Sequence, residues 1–266
     1  MAQELNKQDD TWLIDTHAHL QDDRFSDDLD SILENAQIAG VQRIVNAGTC
    51  LSTSEKAYKI ASTHSGCYCL AGVHPHDSKS FKDSDLIGIE TLLAKPETLG
   101  VGEIGLDYHY DFSDRKTQRD VFAQLWSLAS QLSCPAIIHV REAFEDFFDV
   151  TSALPAPTKV LMHCFSGNLE IAKKALDKGY HFSVGGPLTF KRAETVSEVF
   201  GYIPLSNIHL ESDCPYLAPV PFRGKRNEPS LIRYTFFELA KIKKIQPELL
   251  KKSLMQNALC FFEKLR

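Results

Sequence analysis

The sequence predicts an α/β chain whose eight strands close into a single (β/α)8 barrel, the TIM-barrel architecture. Three observations carry that expectation. Short apolar runs alternate with longer amphipathic stretches, the pattern of parallel strands joined by helical crossovers. The chain has 266 residues, and one barrel takes about 250. An open doubly wound sheet would favour a glycine-rich phosphate loop after a strand. Here the first strand runs instead into Asp15-Thr16-His17-Ala18-His19.

The strands are expected at Trp12–Asp15, Arg43–Ala47, Cys69–Val73, Leu99–Glu103, Ala136–His139, Val160–His163, His181–Val184 and Ile208–Glu211. Amphipathic stretches between them include Leu29–Ala39, Ser54–Ser62, Lys116–Gln131 and Leu169–Lys178. Gly40 and Gly179 stand just past two of these stretches, where helices commonly end on a glycine. Phe122, Leu125, Trp126 and Ala129 recur at helical spacing and form the inner face of one helix. Ser230–Lys264 reads as two helices, with Pro247 and Glu248 in the first turn of the last. Neither a linker nor a short-period repeat is evident, so residues 1–266 are expected to form one domain, with 1–10 as a polar extension.

Composition narrows the function classes. Hydrophobic residues make up 43% and charged residues 24%, which suits a globular protein with a large core. A chain of this size buries about three quarters of its unfolded surface and needs no disulfides. The net charge of -6 argues against loose binding to a polyanion. It leaves room for a nucleic-acid substrate, because bound divalent cations reverse the local sign. There are seven cysteines (Cys50, Cys67, Cys69, Cys134, Cys164, Cys214 and Cys260), an odd number without a C-x-x-C pair. They read as reduced and structural, which points to a cytoplasmic chain. The polar, acidic N-terminus is unlike a signal peptide. Apolar runs all fall short of the ~18–20 residues of a membrane span.

The chemistry is expected where the strands end. Residues i and i+2 of a strand share a face, so His17 and His19 can reach one ion. Alone, such a pair is weak evidence and more often lies in a solvated loop. Glu103 follows a Leu-Gly-Val run, where a carboxylate is costly to bury without a cation or a donor. His139 and His163 are each the first polar residue after an apolar strand, and Asp213 follows the last strand. Barrel closure would bring these ends together on one face, where barrel enzymes keep their sites. The simplest assembly holds two divalent ions. His17, His19 and Asp213 take one, His139 and His163 take the other, and Glu103 bridges. Imidazoles suit zinc, manganese or iron, and an open site also suits magnesium. Asp213 is further placed to act as a base toward water. Glu211 is expected to point back into the barrel, orienting a ligand or pairing with a cation, and Asp107 to orient a ligand.

Other segments are less committed. Arg223, Lys225 and Arg226 form a basic loop after the eighth strand that could grip phosphates or simply be a solvated charged loop. Arg141 follows His139 by two residues and could contact substrate or an acidic neighbour. Tyr108, His109 and Tyr110 could stack on the bases of a single strand, or simply pack on the barrel mouth.

These motifs resemble one family, the TatD-type metal-dependent deoxyribonucleases among the amidohydrolase-like barrels. The resemblance rests on D-T-H-A-H-L at 15–20, G-V-H-P-H at 72–76, G-E-I-G-L-D-Y at 102–108, I-H-V-R-E-A at 138–143 and H-C-F-S-G at 163–167. It continues in G-G-P-L-T-F-K at 185–191, E-S-D-C-P-Y-L-A-P at 211–219 and P-F-R-G-K-R-N-E-P at 221–229. It implies hydrolysis of phosphodiester bonds in DNA, commonly from 3′ to 5′, with magnesium or another divalent ion. It also implies the ligand roles above, catalytic roles for Asp213 and Glu103, and a place for His74 near the substrate phosphate. Cys214 stands where the family often has alanine. Two alternatives remain. One is an ester or amide hydrolase on the same barrel, such as a D-aminoacyl-tRNA deacylase. The other is a non-catalytic binding protein, which the full ligand set disfavours. An amide hydrolase would more often carry a carboxylated lysine at a strand end, and none of the expected strand ends offers a lysine. The expected partner is DNA, single-stranded or at 3′ ends, with neither a membrane nor an obligate protein partner.

Overall fold

The computed structural model describes residues 12–265; the expected extension at 1–10 lies outside them. Eight strands form one parallel sheet in the order β1 to β8: Leu13–Ala18, Val41–Ala47, Cys67–Ala71, Thr98–Asp107, Ala136–Arg141, Val160–Met162, His181–Val184 and Ile208–Leu210. The barrel closes between the ends of the first and last strands. There the Asp213 amide donates to the His17 carbonyl (2.9 Å) and the His19 amide to the Cys214 carbonyl (2.8 Å). The helices are α1 (Leu29–Ile38), α2 (Leu51–Thr63), α3 (Asp83–Leu93), α4 (Arg115–Gln131), α5 (Phe144–Ser152), α6 (Leu169–Asp177), α7 (Glu194–Tyr202), α8 (Ile232–Lys243) and α9 (Pro247–Phe261).

Local chemistry explains the helix ends. Asp114 and Asn168 cap α4 and α6 by accepting from the amides of Thr117 and Ile171. Gly40 and Gly179 follow α1 and α6 at positive φ, 83° and 75°, where a side chain would be strained.

The strands bury both faces, as parallel barrels require. Outward residues such as Ile44, Val101, Ile138 and Met162 join the larger core with the surrounding helices. Ile14, Val45, Leu70, Leu99, Ile137 and Leu161 form a smaller inner core, sealed at one end by Phe261 and Phe262. Alternation along each strand then sets the next inward residue. Above Ile137 comes His139, and above Leu161 comes His163. On β7 and β8 the inward pairs are His181 with Ser183 and His209 with Glu211. His209 Nε2 meets His181 Nδ1 at 3.0 Å, and the Ser183 hydroxyl donates to Glu211.

Several strand bounds depart from expectation: β1 runs on to Ala18 and β5 to Arg141, and two further strands differ in ways that shape the site. The third runs over 67–71, so Gly72 and Val73 lie beyond it. A Cβ on Gly72 would come within 2.7 Å of the Gly102 backbone, so this close crossing needs glycine. The fourth strand does not end at Glu103; it continues to Asp107. Its pairing with β5 slips between Val101 and Ile104. Such an irregularity re-aims a side chain, and here Glu103 faces the barrel axis from mid-strand.

Candidate metal centre

Glu103 is the hub, buried at 3% exposure. Its Oε2 lies 3.2 Å from His17 Nε2 and 3.6 Å from His19 Nε2. Its Oε1 lies 2.8 Å from His163 Nε2, 2.9 Å from His139 Nδ1 and 3.5 Å from His74 Nε2. Asp213 completes the first group, with Oδ1 3.4 Å from His19 Nε2 and 4.0 Å from His17 Nε2. One carboxylate thus presents its two oxygens to two sets of side chains, which meet where the His17 and His163 rings stack at 4.0 Å. Three groups lie close enough to share a cation: His17, His19 and Asp213; His74, Glu103 and His139; and His17, His163 and Glu211.

The ring nitrogens are turned for that role. His19 Nδ1 donates to the Ala47 carbonyl (2.9 Å), which leaves the Nε2 lone pair toward the centre. His139 Nε2 faces Asp107 Oδ2 at 3.0 Å, which leaves Nδ1 toward Glu103. His163 Nδ1 lies 3.6 Å from Glu211 Oε1, too far for a normal hydrogen bond. Both of those atoms are buried without a hydrogen-bond partner, as is His17 Nδ1. Histidine ligands commonly direct their far nitrogen at such a carboxylate.

Ring nitrogens also face one another. His17 Nε2 and His19 Nε2 are 3.3 Å apart; His139 Nδ1 and His163 Nε2 are 3.2 Å apart. Two nitrogens held about 2.0–2.1 Å from one ion sit about 3.0–3.4 Å apart. The residues therefore fit divalent ions.

Electrostatics agree with the geometry. Burial pushes the Glu103 carboxyl up, but the imidazoles of His163, His74 and His17 and the hydrogen bond from His139 hold it well below the usual range. Burial lowers His163, yet Glu103 and Glu211 outweigh it and raise this imidazole well above its ordinary value. At His74 burial prevails and the imidazole is lowered well below. Asp213 is raised by burial and lowered, on balance, by His19 and the neighbouring histidines. Asp15 is pushed up to about 7, chiefly by burial. It supports the first cluster from behind by accepting from the Ser212 and His17 amides.

The centre opens into a cavity of about 760 Å³. His74, His76, Asp107, Tyr110, Arg141, Cys164 and Tyr216 are among its lining residues. Arg141 lies 5.0 Å from the Tyr110 ring. The basic loop is directed elsewhere, because Asn227 is buried and ties it down through the carbonyls of Ser212 and Tyr216. Arg226 pairs with Asp28 and donates to the Arg24 carbonyl. Arg223 lies over Phe190 at 4.1 Å, and Lys225 lies 5.8 Å from Phe222. None of these three cations lines the cavity. Cys214 is buried, with its thiol raised well above its ordinary value by burial. Tyr108 and His109 are also committed, to Asp146 and Glu142 respectively.

Sequence reasoning missed Gln118 and Phe112. Gln118 is fully buried on α4 and bonds both the amide and the carbonyl of Asp107. A signal existed: it stands four residues before Phe122, a polar member of an otherwise apolar stripe.

A parallel barrel that gathers imidazoles and carboxylates at its strand ends is the frame of the metal-dependent barrel hydrolases. The comparisons narrow that class. The family described as TatD related DNase matches residues 14–263, and the chain belongs to that family. A Bacillus subtilis relative, "Uncharacterized metal-dependent hydrolase YabD", is 37% identical, covering 92% of this chain and 97% of its own length. A Klebsiella pneumoniae relative, "3'-5' ssDNA/RNA exonuclease TatD", is 32% identical and covers 86% and 89% respectively. The solved structure of the Escherichia coli TatD homologue YJJV superposes with a TM-score of 0.90 at 27% identity, covering 94% of this chain and 98% of that one. The protein is a metal-dependent hydrolase. Among the described residues, no helix is long and apolar enough to cross a membrane.

Proposed function

We propose that the protein hydrolyses phosphodiester bonds in single-stranded nucleic acid, DNA first, from the 3′ end, using two divalent ions, with magnesium the first candidate and zinc or manganese the others. The observation that carries this reading is the Glu103 carboxylate, whose two oxygens serve two ligand clusters at the floor of an open cavity. His17, His19 and Asp213 would hold one ion and His139 and His163 the other, with Glu103 between them. Ions bound there supply the charge that offsets a phosphate and lowers the pKa of water.

This chain's own groups supply the rest. Asp213 is held ionised by His19 and accepts the proton of the attacking water. The water oxygen bonds to phosphorus in line with the departing 3′-oxygen, which leaves with its electron pair and takes up a proton from solvent. His74, whose neutral imidazole lies at the cavity wall, offers a hydrogen bond to a phosphate oxygen. Arg141 has no carboxylate partner among the described residues and is free to meet a flanking phosphate. The cavity lining holds no lysine, which disfavours an amide hydrolase built on a carboxylated lysine.

The test incubates purified protein with end-labelled single-stranded DNA, RNA and a charged tRNA, with magnesium, manganese, zinc or chelator. DNA shortens from its 3′ end only with metal, and Glu103→Ala or His163→Ala abolishes the shortening. Release of the amino acid from tRNA without DNA cleavage would overturn the reading.

A further inference from the structure

We propose that Tyr110 and Phe112, with Arg141 beside them, form a stacking platform for an unpaired nucleobase next to the phosphate at the metal centre. The proposal rests on the phosphodiesterase reading and adds what selects a single strand.

The two rings are the feature to explain. Tyr110 is 51% exposed and Phe112 is 56% exposed. Their centroids are 5.2 Å apart and their planes differ by 9°, so they lie parallel. Large aromatic rings left half exposed, with each other and the Arg141 guanidinium against their faces, forgo part of the gain of burial.

The loop that carries them is nonetheless firmly built. Asp107 Oδ1 accepts from the amides of His109 (2.9 Å) and Tyr110 (3.2 Å). Gln118 closes the loop's two ends by donating to the carbonyls of Asp107 (3.0 Å) and Ser113 (2.8 Å). The Ser113 hydroxyl donates to the His76 carbonyl (2.9 Å) and accepts from the Lys79 amide (3.1 Å). A fixed loop with uncovered rings loses little freedom when something stacks on it.

Position names the occupant. Tyr110 lines the reaction cavity. The His76 ring stands edge-on to Tyr110 at 5.6 Å and to Phe112 at 4.8 Å, and to His74 at 4.3 Å. The other oxygen of Asp107 faces His139. The platform is thus registered against the centre through shared groups. Flat apolar faces beside a cation suit a base and its phosphate, and stacking tolerates any base. A paired base at a duplex end already stacks within its own helix and is less available to the platform.

The experiment measures KM and kcat with manganese on three labelled DNA substrates. They are a single strand, the same strand with its last few 3′ residues lacking bases, and the same strand annealed to its complement. Tyr110→Ala/Phe112→Ala raises KM for the intact strand about tenfold, equivalent to about 1.4 kcal/mol. On the baseless strand the rise shrinks below about threefold, since stacking is already gone. Leucine at both positions keeps apolar bulk without a flat face and gives the same loss. Tyr110→Phe/Phe112→Tyr keeps the faces and restores KM. Unchanged KM in the alanine and leucine variants overturns the platform while leaving the phosphodiesterase reading intact. So does an equal loss on the intact and baseless strands. Failure of the wild-type protein to cleave any of the three overturns both.

Discussion

Asp107→Asn inverts a hydrogen bond without changing shape. Asp107 Oδ2 accepts from His139 Nε2 at 3.0 Å, while Oδ1 accepts from the amides of His109 and Tyr110. The site therefore asks for acceptors on both sides, and an asparagine offers one. If its oxygen keeps the two backbone amides, its NH2 faces His139 Nε2. The ring must then accept there and carry its proton on Nδ1, the atom 2.9 Å from Glu103 Oε1. A protonated nitrogen cannot ligate. Outer carboxylates of this kind are worth about 10–100-fold in metal affinity or activity, or about 1.4–2.7 kcal/mol. A forced tautomer puts Asp107→Asn at the upper end. Asp107→Ala is milder at His139, because water can enter and accept from Nε2. The expected order of manganese affinity is wild type, then alanine, then asparagine. Titration calorimetry on metal-free protein measures it. If Asp107 mattered only as the anchor of the 109–110 loop, alanine would bind worse than asparagine, and that order would refute the tautomer argument.

Three further outcomes follow from the same contacts. Arg141→Ala lowers the salt slope of KM for single-stranded DNA by about one phosphate contact; Arg226→Ala leaves the slope unchanged, because Arg226 is spent on Asp28, and a fall in its slope would return the basic loop to the substrate. Chelation lowers Tm by about 5–10 °C relative to metal at about 100 times its Kd, the equivalent of about 2.7 kcal/mol; scanning calorimetry that finds no shift removes the metal from the folded centre. His181 is lowered to about 4 by burial and by Lys159, so the unfolded chain takes up its proton first as pH falls. Stability is lost from pH ~6.5 down to ~4, on the order of 1–2 kcal/mol after discounting for partial exposure; urea denaturation of His181→Asn shows a shallower loss over that window, and an identical loss would contradict the assignment.

How much of this was legible in the sequence depends on the range of the interaction involved. The strands and most candidate ligands were, because alternation and the first polar residue after an apolar run are local signals. His139 and His163 follow Ile137 and Leu161 by two, so the inner face is readable directly. The position of Glu103 was not, because the slip between β4 and β5 depends on a neighbouring strand. The placing of the basic loop was not legible for a similar reason. Its composition suggests a phosphate grip, but Arg226 finds Asp28, remote in sequence, and Asn227 ties the loop to the carbonyls of Ser212 and Tyr216. Tyr108, His109 and Tyr110 are equivalent by composition, and only their neighbours separate them: Asp146 takes the first and Glu142 the second, leaving Tyr110 at the cavity.

Strand β4 joins both halves of the site, which makes it the most informative place to perturb. Glu103 sets the spacing of the two ligand clusters, and Asp107 sets His139 and the platform loop. Between them Gly105 sits at φ 144°, where a side chain is strained. A Cβ there would lie 1.9 Å from the His139 carbonyl oxygen. Gly105→Ala must therefore push β4 from β5 beside His139. Strain and overpacking each cost about 1–3 kcal/mol, so urea denaturation in chelator should show a loss on the order of several kcal/mol. The displacement acts on Glu103, Asp107 and His139 together. Metal affinity should fall more than in Asp107→Ala, which disturbs one of the three. A Gly105→Ala protein that binds manganese as the wild type does would mean that the clusters tolerate movement of β4. The hub role of Glu103 would then fail, whatever the variant's stability.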